Sequence, residues 1–304
     1  MCGHKGDLVI VTLTPNPAID RTLAVPALVR GEVLRAAAPV VEASGKGVNV
    51  AKALLVNGHA AKAVLPADDQ LLELLRAAGV PCDVARIGGA VRTNVSLLEP
   101  DGTVTKVNEP GPALSSEDRR RLLSMTLAAG GSVIAASGSL PPGLPADFYA
   151  ELVERSDGPV AVDTSGLALK AVIGARPWLI KPNLDELAEL VGQRPQTLAD
   201  VVSAARALRS KGPQAVLVSL GGDGAVLVDG TGARHGEAVV DRPRNTVGAG
   251  DALLAGFLAG GLTEALAYAA AAVRHVGTHA PAVTPADRAA VRVHQNIDGG
   301  RRVE

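Results

Sequence analysis

The 304-residue chain has few of the residues that mark several classes of protein. Aromatic residues make up 2% of it, with a single tryptophan, which excludes a stacking surface for single-stranded nucleic acid. The two cysteines, Cys2 and Cys82, are too few for a disulfide framework and lack the spacing of metal ligands. The six histidines are also scattered without ligand spacing. We therefore expect a reducing compartment, no metal cluster and no nucleic-acid partner.

Excess charge and long apolar runs are also missing. Thirty Lys and Arg against 31 Asp and Glu leave a net charge of -1, so no overall field attracts nucleic acid or an anionic membrane. The alanine-rich stretch 266–273 is too short to span a bilayer, and residues 1–7 hold no apolar segment of a secretory signal. The sequence therefore predicts a cytoplasmic protein that does not bind membranes.

What the chain does contain is aliphatic residues in patterns that alternate between strand and helix. Hydrophobic residues make up 47% of it, enough to build a core from Ala, Val and Leu. Residues 8–13 form an apolar run that ends in the turn 14–17, which is typical of a buried strand. From residue 116 onward the two patterns alternate, which predicts parallel strands joined by crossover helices. The predicted strands are 132–137, 160–163, 178–181 and 215–219, with a hairpin at 225–237; the predicted helices are 116–129, 146–155, 184–191, 198–210, 248–260 and 263–279.

A different pattern occupies the first third of the chain. Residues 22–25 and 32–41 are interpreted as short strands, and 92–99 and 103–108 flank the hairpin turn Pro100-Asp101-Gly102. A helix is predicted over 45–58, between these pairs. We predict one α/β domain over residues 1–304, a doubly wound, mostly parallel sheet flanked by helices. A small β-sheet lid, formed by about 20–43 and 90–110, is inserted in it, and the tail from 296 is expected to fray.

The segment Asn245-Thr-Val-Gly-Ala-Gly-Asp251 is the most informative motif. Small residues at the start of a helix let backbone N–H groups approach a ligand and form an anion site, here Gly248, Ala249 and Gly250. A carboxylate in the same turn can take a proton from a hydroxyl that attacks a bound phosphoryl group. The motif thus predicts Asp251 as a catalytic base. The alternative is a glycine-rich turn with Asp251 as the helix N-cap.

Further motifs accompany this one in a fixed order. They are Asn16 to Asp20, Gly45-Lys-Gly-Val-Asn49 and the segments 137–143, 163–166, 181–186 and 219–224. With 245–258, the series resembles the ribokinase-like (PfkB-type) carbohydrate kinases over nearly the whole chain. The resemblance implies a ribokinase-like fold and transfer of a phosphoryl group from ATP, with Mg²⁺, to a sugar.

Within that family, segments 12–20, 45–47, 92–94 and 179–183 look like the phosphosugar branch, which includes 1-phosphofructokinase, tagatose-6-phosphate kinase and the minor 6-phosphofructokinase. The favoured acceptor is fructose 1-phosphate. The resemblance implies that Asp20 and Asn49 hold sugar hydroxyls. Lys46 and Arg92 are candidates for the acceptor's own phosphate, with Arg35 a weaker third, because a dianion needs localised cations. The implied substrate residues are Asp20, Gly45, Lys46, Gly47, Asn49, Arg92, Asn94 and Ser139.

A second implied set binds the nucleotide. Asn183 and Glu186 match the family's Asn-x-x-Glu, which supplies oxygens for hydrated Mg²⁺. Asp163 is expected to support the metal or the ribose. Each motif also has an ordinary interpretation, a capping box for Asn183 and Glu186 and a tight turn for 221–224. The implied nucleotide residues are Lys181, Asn183, Glu186, Ser219, Gly221 and Gly224.

Other functions fit the motifs less well. A dinucleotide-binding loop requires a third glycine where the chain has Val50, and a P-loop requires Ser or Thr where it has Gly47. A catalytically inactive sugar-phosphate-binding regulator should lose the base or the anion site first, and both are present. The family's downstream glycine turn is replaced by 66–70, which leaves the choice of acceptor open. We further expect a homodimer, because the exposed face of the lid needs cover.

Overall fold

The computed structural model describes residues 9–240, 247–275 and 281–303. Several positions of the sequence-based predictions therefore lie outside the described residues: Cys2, Leu8, Asn245, Thr246 and residues 276–279. The described strands are β1 (Ile10–Leu13), β2 (Ala18–Ala24), β3 (Val40–Ser44), β4 (Ala61–Ala67), β5 (Cys82–Arg86), β6 (Arg92–Leu98), β7 (Val104–Asn108), β8 (Val133–Ser137), β9 (Val160–Asp163), β10 (Leu179–Ile180), β11 (Ala215–Ser219), β12 (Ala225–Asp229), β13 (Gly232–Ala238) and β14 (Val291–His294).

Helices connect most of these strands and cover both faces of the larger sheet. They are α1 (Lys46–Val56), α2 (Asp69–Ala77), α3 (Ser116–Ala128), α4 (Phe148–Arg155), α5 (Gly166–Val172), α6 (Leu184–Val191), α7 (Leu198–Arg209), α8 (Ala249–Arg274) and α9 (Pro285–Ala289). Side chains of α1, α2 and α8 pack in one apolar core, and those of α3 to α7 pack in the other. Alternate residues of one strand enter opposite cores, as Val160 and Ala161 do, because successive strand side chains point to opposite faces.

The larger sheet has ten strands in the order β14-β13-β12-β11-β10-β9-β8-β1-β4-β5. The strands from β11 to β5 run parallel, and β12, β13 and β14 add an antiparallel edge. This confirms the predicted doubly wound, mostly parallel α/β fold. The chain moves outward in opposite directions from β1, so the strand order reverses between β1 and β8. Ligands of such sheets bind beside this reversal, at the carboxyl ends of the strands.

A second, four-stranded sheet has the order β3-β2-β6-β7. Its hairpin β6–β7 confirms the predicted turn at Pro100-Asp101-Gly102. The strand predicted over 32–41 is confirmed at residues 40 and 41 and was wrong before them, because β3 begins at Val40, where Thr22 of β2 becomes its partner. Strand β2 also begins earlier than predicted, at Ala18, so that its first residues pair with Arg92, Thr93 and Asn94 of β6.

The fold also includes elements that the sequence patterns did not predict. They are β4, α2, β5, α5, α9 and β14. Asp68 in the segment 66–70 caps α2 by accepting a hydrogen bond from Leu71 N and also accepts one from Val91 N. The expected fraying of the tail was wrong through residue 303, because Arg301 O accepts from Leu198 N (2.9 Å) and Val303 N donates to Gln196 O (3.0 Å).

Helix α8 is, among the described residues, the one helix long and apolar enough to cross a membrane by length and composition. Most of its apolar segment is buried inside the protein, against α1, α9, β13 and β14. The backbone breaks at Gly260 (φ −168°) and Gly261 (φ 77°), which divides it near the predicted boundary between two helices. Helix α8 is therefore a core helix of this fold.

Candidate active site

The carboxyl ends of β8, β9 and β10 meet the starts of α1 and α8 at one edge of the larger sheet. Asp163, the last residue of β9, is completely buried there. It binds two ammonium groups: Lys46 Nζ lies 2.8 Å from Oδ1, and Lys181 Nζ lies 3.2 Å from Oδ2. Lys181 is buried, whereas the Lys46 side chain is 39% exposed and can therefore also contact a ligand. The result is a fixed pair of cations held by one buried carboxylate.

Asp163, Lys46 and Lys181 form a triad whose opposite charges stabilise one another. Burial raises the pKa of Asp163, but the ammonium groups of Lys181 and Lys46 lower it by more, so the pKa lies below its ordinary value. Burial lowers the pKa of Lys46, but Asp163 and then Asp251 raise it by more, so Lys46 stays charged. The sequence had assigned Asp163 only a supporting position. Asp163 is the last residue of a four-residue buried strand, and this location was the sequence signal for a central position in the site.

Asp251 lies in the first turn of α8 and is 7% exposed. The N-cap is Gly248 with φ 76°, so the alternative interpretation of Asp251 as the N-cap was wrong. Its carboxylate Oδ2 instead accepts a 2.9 Å hydrogen bond from Asn49 Nδ2 of α1. The first helical hydrogen bond runs from Ala252 N to Gly248 O. The amides of Ala249, Gly250 and Asp251 therefore precede the helical ladder, as an anion site requires.

The surroundings of Asp251 give it the protonation behaviour of a base. Burial raises the pKa of Asp251 from 3.8 to about 6, and the negative charge of Asp163 also raises it. Lys46, the Asn49 hydrogen bond and Lys181 lower it in part. A carboxylate with a pKa just below neutral is largely ionised at pH 7 and yet accepts a proton more readily than an exposed aspartate.

The predicted sugar-binding residues of the second sheet lie next to one another. Asp20 of β2 and Asn94 of β6 are register partners, and Asn94 Nδ2 donates to Asp20 Oδ1 at 2.9 Å. Arg92 Nη2 donates to Asn16 O at 3.0 Å. Burial lowers the pKa of Arg92, and the charge of Asp20 opposes this effect. Because these residues follow the Asn16 turn, they lie beside the carboxyl end of β1.

Asn16 joins the two sheets and was named in the sequence only as part of a motif. Its Nδ2 donates to Pro110 O (3.0 Å) and to Ser139 Oγ (3.2 Å), which ties the second sheet to the loop after β8. Within the described residues, the buried atoms Asn16 Oδ1, Asn94 Oδ1 and Arg92 Nε have no hydrogen-bond partner. Unpartnered buried polar atoms cost free energy, so this cluster suits a polar ligand.

Gly45 and Gly47 are required by the packing of α1 against the end of β1. A Cβ at Gly47 would lie 2.4 Å from Thr14 Oγ1 and 3.0 Å from Leu13 O. Gly45 has φ 126°, and a Cβ there would lie 2.8 Å from Thr14 Cγ2. This packing brings the start of α1, with Lys46 and Asn49, to the triad; contact of either glycine with a sugar stays a prediction.

Asn183 and Glu186 form the capping box that was the ordinary interpretation of their motif. Glu186 N donates to Asn183 Oδ1 (2.8 Å), and Asn183 N donates to Glu186 Oε2 (2.9 Å). Burial raises the pKa of Glu186, and the charges of Lys46, Asp163 and Lys181 also act on it, which places it beside the triad. No group of three His, Cys, Asp or Glu side chains that could enclose a metal occurs among the described residues. Sparse oxygen ligands suit Mg²⁺ that keeps its waters and binds phosphates.

The loop after β11 begins next to this capping box. Ser219 forms a parallel bridge with Asn183, and Ser219 N donates to Pro182 O at 3.0 Å. Residues Gly221–Asp223 form one turn of 3₁₀-helix, which confirms the predicted tight turn. Gly224 has φ 85°, and a Cβ there would lie 2.0 Å from Gly236 O, so only glycine fits. Three of the predicted nucleotide residues, Asn183, Glu186 and Ser219, thus lie together where the chain leaves β10 and β11.

Comparison with known proteins agrees with this arrangement. Residues 7–285 match the family described as pfkB family carbohydrate kinase. A 1-phosphofructokinase of Rhodobacter capsulatus is 38% identical over 297 residues, which cover 90% of this chain and 92% of that protein. The phosphofructokinase-2 of Escherichia coli, in a crystal structure with fructose-6-phosphate, is 29% identical with a TM-score of 0.84 over 93% of this chain and 97% of that one.

A more distant likeness shows the fold. The ribokinase of Thermotoga maritima superposes with a TM-score of 0.76 over 93% of this chain and 98% of that one, at 19% identity. The fold is therefore ribokinase-like, as the motifs implied. With its family match over most of its length, the chain belongs to the pfkB family of carbohydrate kinases, which are phosphotransferases.

Proposed function

We propose that this protein transfers the γ-phosphoryl group of ATP to the 6-hydroxyl of fructose 1-phosphate and forms fructose 1,6-bisphosphate. The observation that carries the proposal is Asp251, a buried carboxylate that shares the start of α8 with amides preceding the helical hydrogen-bond ladder and lies near Lys46 and Lys181. The 38% identity to a 1-phosphofructokinase supports this acceptor. We place the reaction in the cytoplasm.

The residues have distinct roles in this reaction. Asp251 takes the proton of the 6-hydroxyl as its oxygen attacks the γ-phosphorus and the bond to the ADP oxygen breaks. The amides of Gly248, Ala249 and Gly250 and the ammonium of Lys181 stabilise the charge of the transferred group. Asn183 and Glu186 would hold hydrated Mg²⁺, which neutralises phosphate charge. Ser219, Gly221 and Gly224 lie along the nucleotide.

The acceptor lies, in this proposal, between Asp251 and the second sheet. Asp20, Asn49 and Asn94 hold its hydroxyls. The buried Asn94 Oδ1, which has no hydrogen-bond partner among the described residues, gains one from the sugar. Arg92 and Lys46 hold its phosphate, and Ser139 closes the site beside Asn16. Fructose 6-phosphate is a second candidate acceptor, because an Escherichia coli phosphofructokinase-2 of similar structure was solved with that sugar. Tagatose 6-phosphate differs from it only in configuration and is the third.

A direct test of the activity uses the purified protein with ATP, Mg²⁺ and fructose 1-phosphate. We expect ADP release that depends on the sugar, together with one new phosphate ester at the 6-position in the ³¹P spectrum. A protein that binds phosphosugars but releases no ADP from ATP in the presence of any of them would instead be an inactive regulator.

The second sheet is proposed to act as a lid and as the contact between two subunits. Its outer residues and the segment before β3 expose valines, with Val33 83%, Val107 59% and Val40 53% exposed. Apolar sheet surfaces of this kind are normally covered. We expect the protein to sediment as a dimer, and Val107→Asp to shift it to monomer at micromolar concentration.

The matched control is Val56→Asp, a valine at the end of α1 that is 47% exposed and lies outside the second sheet. It should leave the dimer intact. A parent protein that is monomeric at all accessible concentrations contradicts the proposed contact, and so does equal dissociation by both variants.

A further inference from the structure

The last described residues of the chain are tied to the start of α7. After β14 the chain crosses the start of α7, where Gly299 O and Arg301 O accept hydrogen bonds from Ala199 N (3.2 Å) and Leu198 N (2.9 Å). The side chain of Val303 is buried in the core of that face. These contacts fix the backbone of residue 301, and so they determine where its side chain can reach.

The Arg301 guanidinium connects two carboxylates from different elements. Nη1 lies 2.6 Å from Glu237 Oε2 on β13, and Nη2 lies 3.1 Å from Asp223 Oδ1 in the turn after β11. The bond to Arg301 lowers the pKa of Glu237, which stays ionised. From the inner side, the buried ring of His235 donates through Nε2 to Asp223 O at 2.8 Å. Asp223 is therefore held at both its side chain and its carbonyl.

The turn that contains Asp223 is rich in glycine. Gly221, Gly222 and Gly224 surround Asp223, and glycines lose more conformational freedom on ordering than other residues. Backbone hydrogen bonds within the turn run from Leu220 N to Gly224 O, from Asp223 N to Leu220 O and from Gly224 N to Gly221 O. A ligand that binds a mobile turn must order it first, which weakens binding. A bridge from outside the turn removes part of that cost.

We propose that Arg301 is a positioning residue that holds the 221–224 turn in the conformation that binds nucleotide. The proposal rests on the function proposed above, in which this turn lies along ATP. Arg301 acts through Asp223 and Glu237 and does not touch the substrate. Because its side chain is one-third exposed, we expect a moderate effect, about fivefold to tenfold on nucleotide affinity.

The test compares Arg301→Met with Arg302→Met. Arg302 is the next residue, is exposed and pairs with Thr197 only through its backbone. In Arg301→Met we expect the Kd and KM for ATP to rise about fivefold to tenfold, with kcat at saturating ATP and KM for fructose 1-phosphate within twofold of the parent. Amide hydrogen exchange of residues 220–224 should accelerate in this variant alone. Arg302→Met should match the parent in all these measurements.

A second variant removes the same ion pair by changing Asp223, the partner of Arg301 in the turn. Asp223→Asn should raise the KM for ATP by a similar factor, and the double variant should be no worse than either single one, because one contact is lost in each. Additive effects, or an unchanged KM in Arg301→Met, would overturn the positioning role. If the parent itself binds no ATP, the proposed function fails with it; if the parent binds ATP and Arg301→Met binds equally well, only the positioning role fails.

Discussion

Replacing Asp251 by asparagine is expected to lower kcat by about 100-fold to 10,000-fold while the affinity for ATP stays within a few-fold of the parent. Asparagine keeps the size of the side chain but cannot accept the proton of the acceptor hydroxyl. Steady-state kinetics and calorimetric titration of ATP measure the two quantities. A kcat within threefold of the parent would remove Asp251 from the role of base.

The pH dependence of the parent provides an independent check on the same carboxylate. Since the base must be ionised and the pKa of Asp251 is raised to about 6, kcat/KM should be level above that pH. It should fall about tenfold per pH unit below it. An acid limb near pH 4 would show that an ordinary, exposed carboxylate controls the rate.

Asp251→Asn is also expected to be at least as stable as the parent at pH 8. The pKa of Asp251 is raised on folding, from 3.8 to about 6, so the folded state prefers the protonated form. Stability from this group is complete below about pH 4 and is lost as the pH rises through about 6. The gain in Tm of the variant should therefore be present at pH 8 and absent at pH 4, which also verifies that it folds.

The second large effect is expected for Lys46→Met. If Lys46 holds the acceptor's phosphate, kcat/KM for fructose 1-phosphate should fall by about 2–4 kcal/mol, that is, about 30-fold to 1000-fold. The kcat/KM for free fructose should change little. Discrimination between the two sugars should then fall almost as far as the activity. Asp163 keeps its bond to Lys181 in this variant, so the buried carboxylate is not left unpaired.

The ratio of the two sugars separates this role from another. Lys46 also acts on the pKa of Asp251, so it lies near the proposed base as well as near the proposed acceptor. If it served the transferred phosphoryl group instead, activity on both sugars would fall by the same factor. Arg92→Ala should reproduce the loss of discrimination. Lys62→Met is the control, since Lys62 pairs with Asp83 at the amino ends of β4 and β5, at the opposite edge of the sheet from the candidate site.

The sequence predicted the larger sheet well where aliphatic runs end in polar residues. Residues 160–163 and 215–219 match β9 and β11, and the glycine-opened helices match α1 and α8. The region of β4, α2 and β5 was missed because Pro66 interrupts the strand pattern and alanine is common to helices and strands. The tail was misjudged because Gly299, Gly300, Arg301 and Arg302 have the composition of a disordered end, whereas tertiary hydrogen bonds order them.

The sequence predicted which residues belong to the candidate site better than it predicted the contacts between them. Motifs identified Asp251, Lys46 and Asn49 as functional residues. No local pattern could show that Lys46 bonds to Asp163, 117 positions along the chain, or that Asn49 bonds to Asp251, 202 positions along it. Those pairings depend on the crossover connections, which bring strand and helix ends from distant segments to one edge of the sheet.

A comparison of kcat/KM among candidate sugars tests the proposed acceptor most directly. Fructose 1-phosphate, fructose 6-phosphate, tagatose 6-phosphate and free fructose are supplied in turn with ATP and Mg²⁺, and kcat/KM is determined for each. We expect the highest value for fructose 1-phosphate and strong rejection of free fructose, which has no phosphate to pair with the cations of Lys46 and Arg92. A higher kcat/KM for fructose 6-phosphate or tagatose 6-phosphate contradicts the choice of acceptor, and free fructose as the best substrate contradicts phosphosugar recognition altogether.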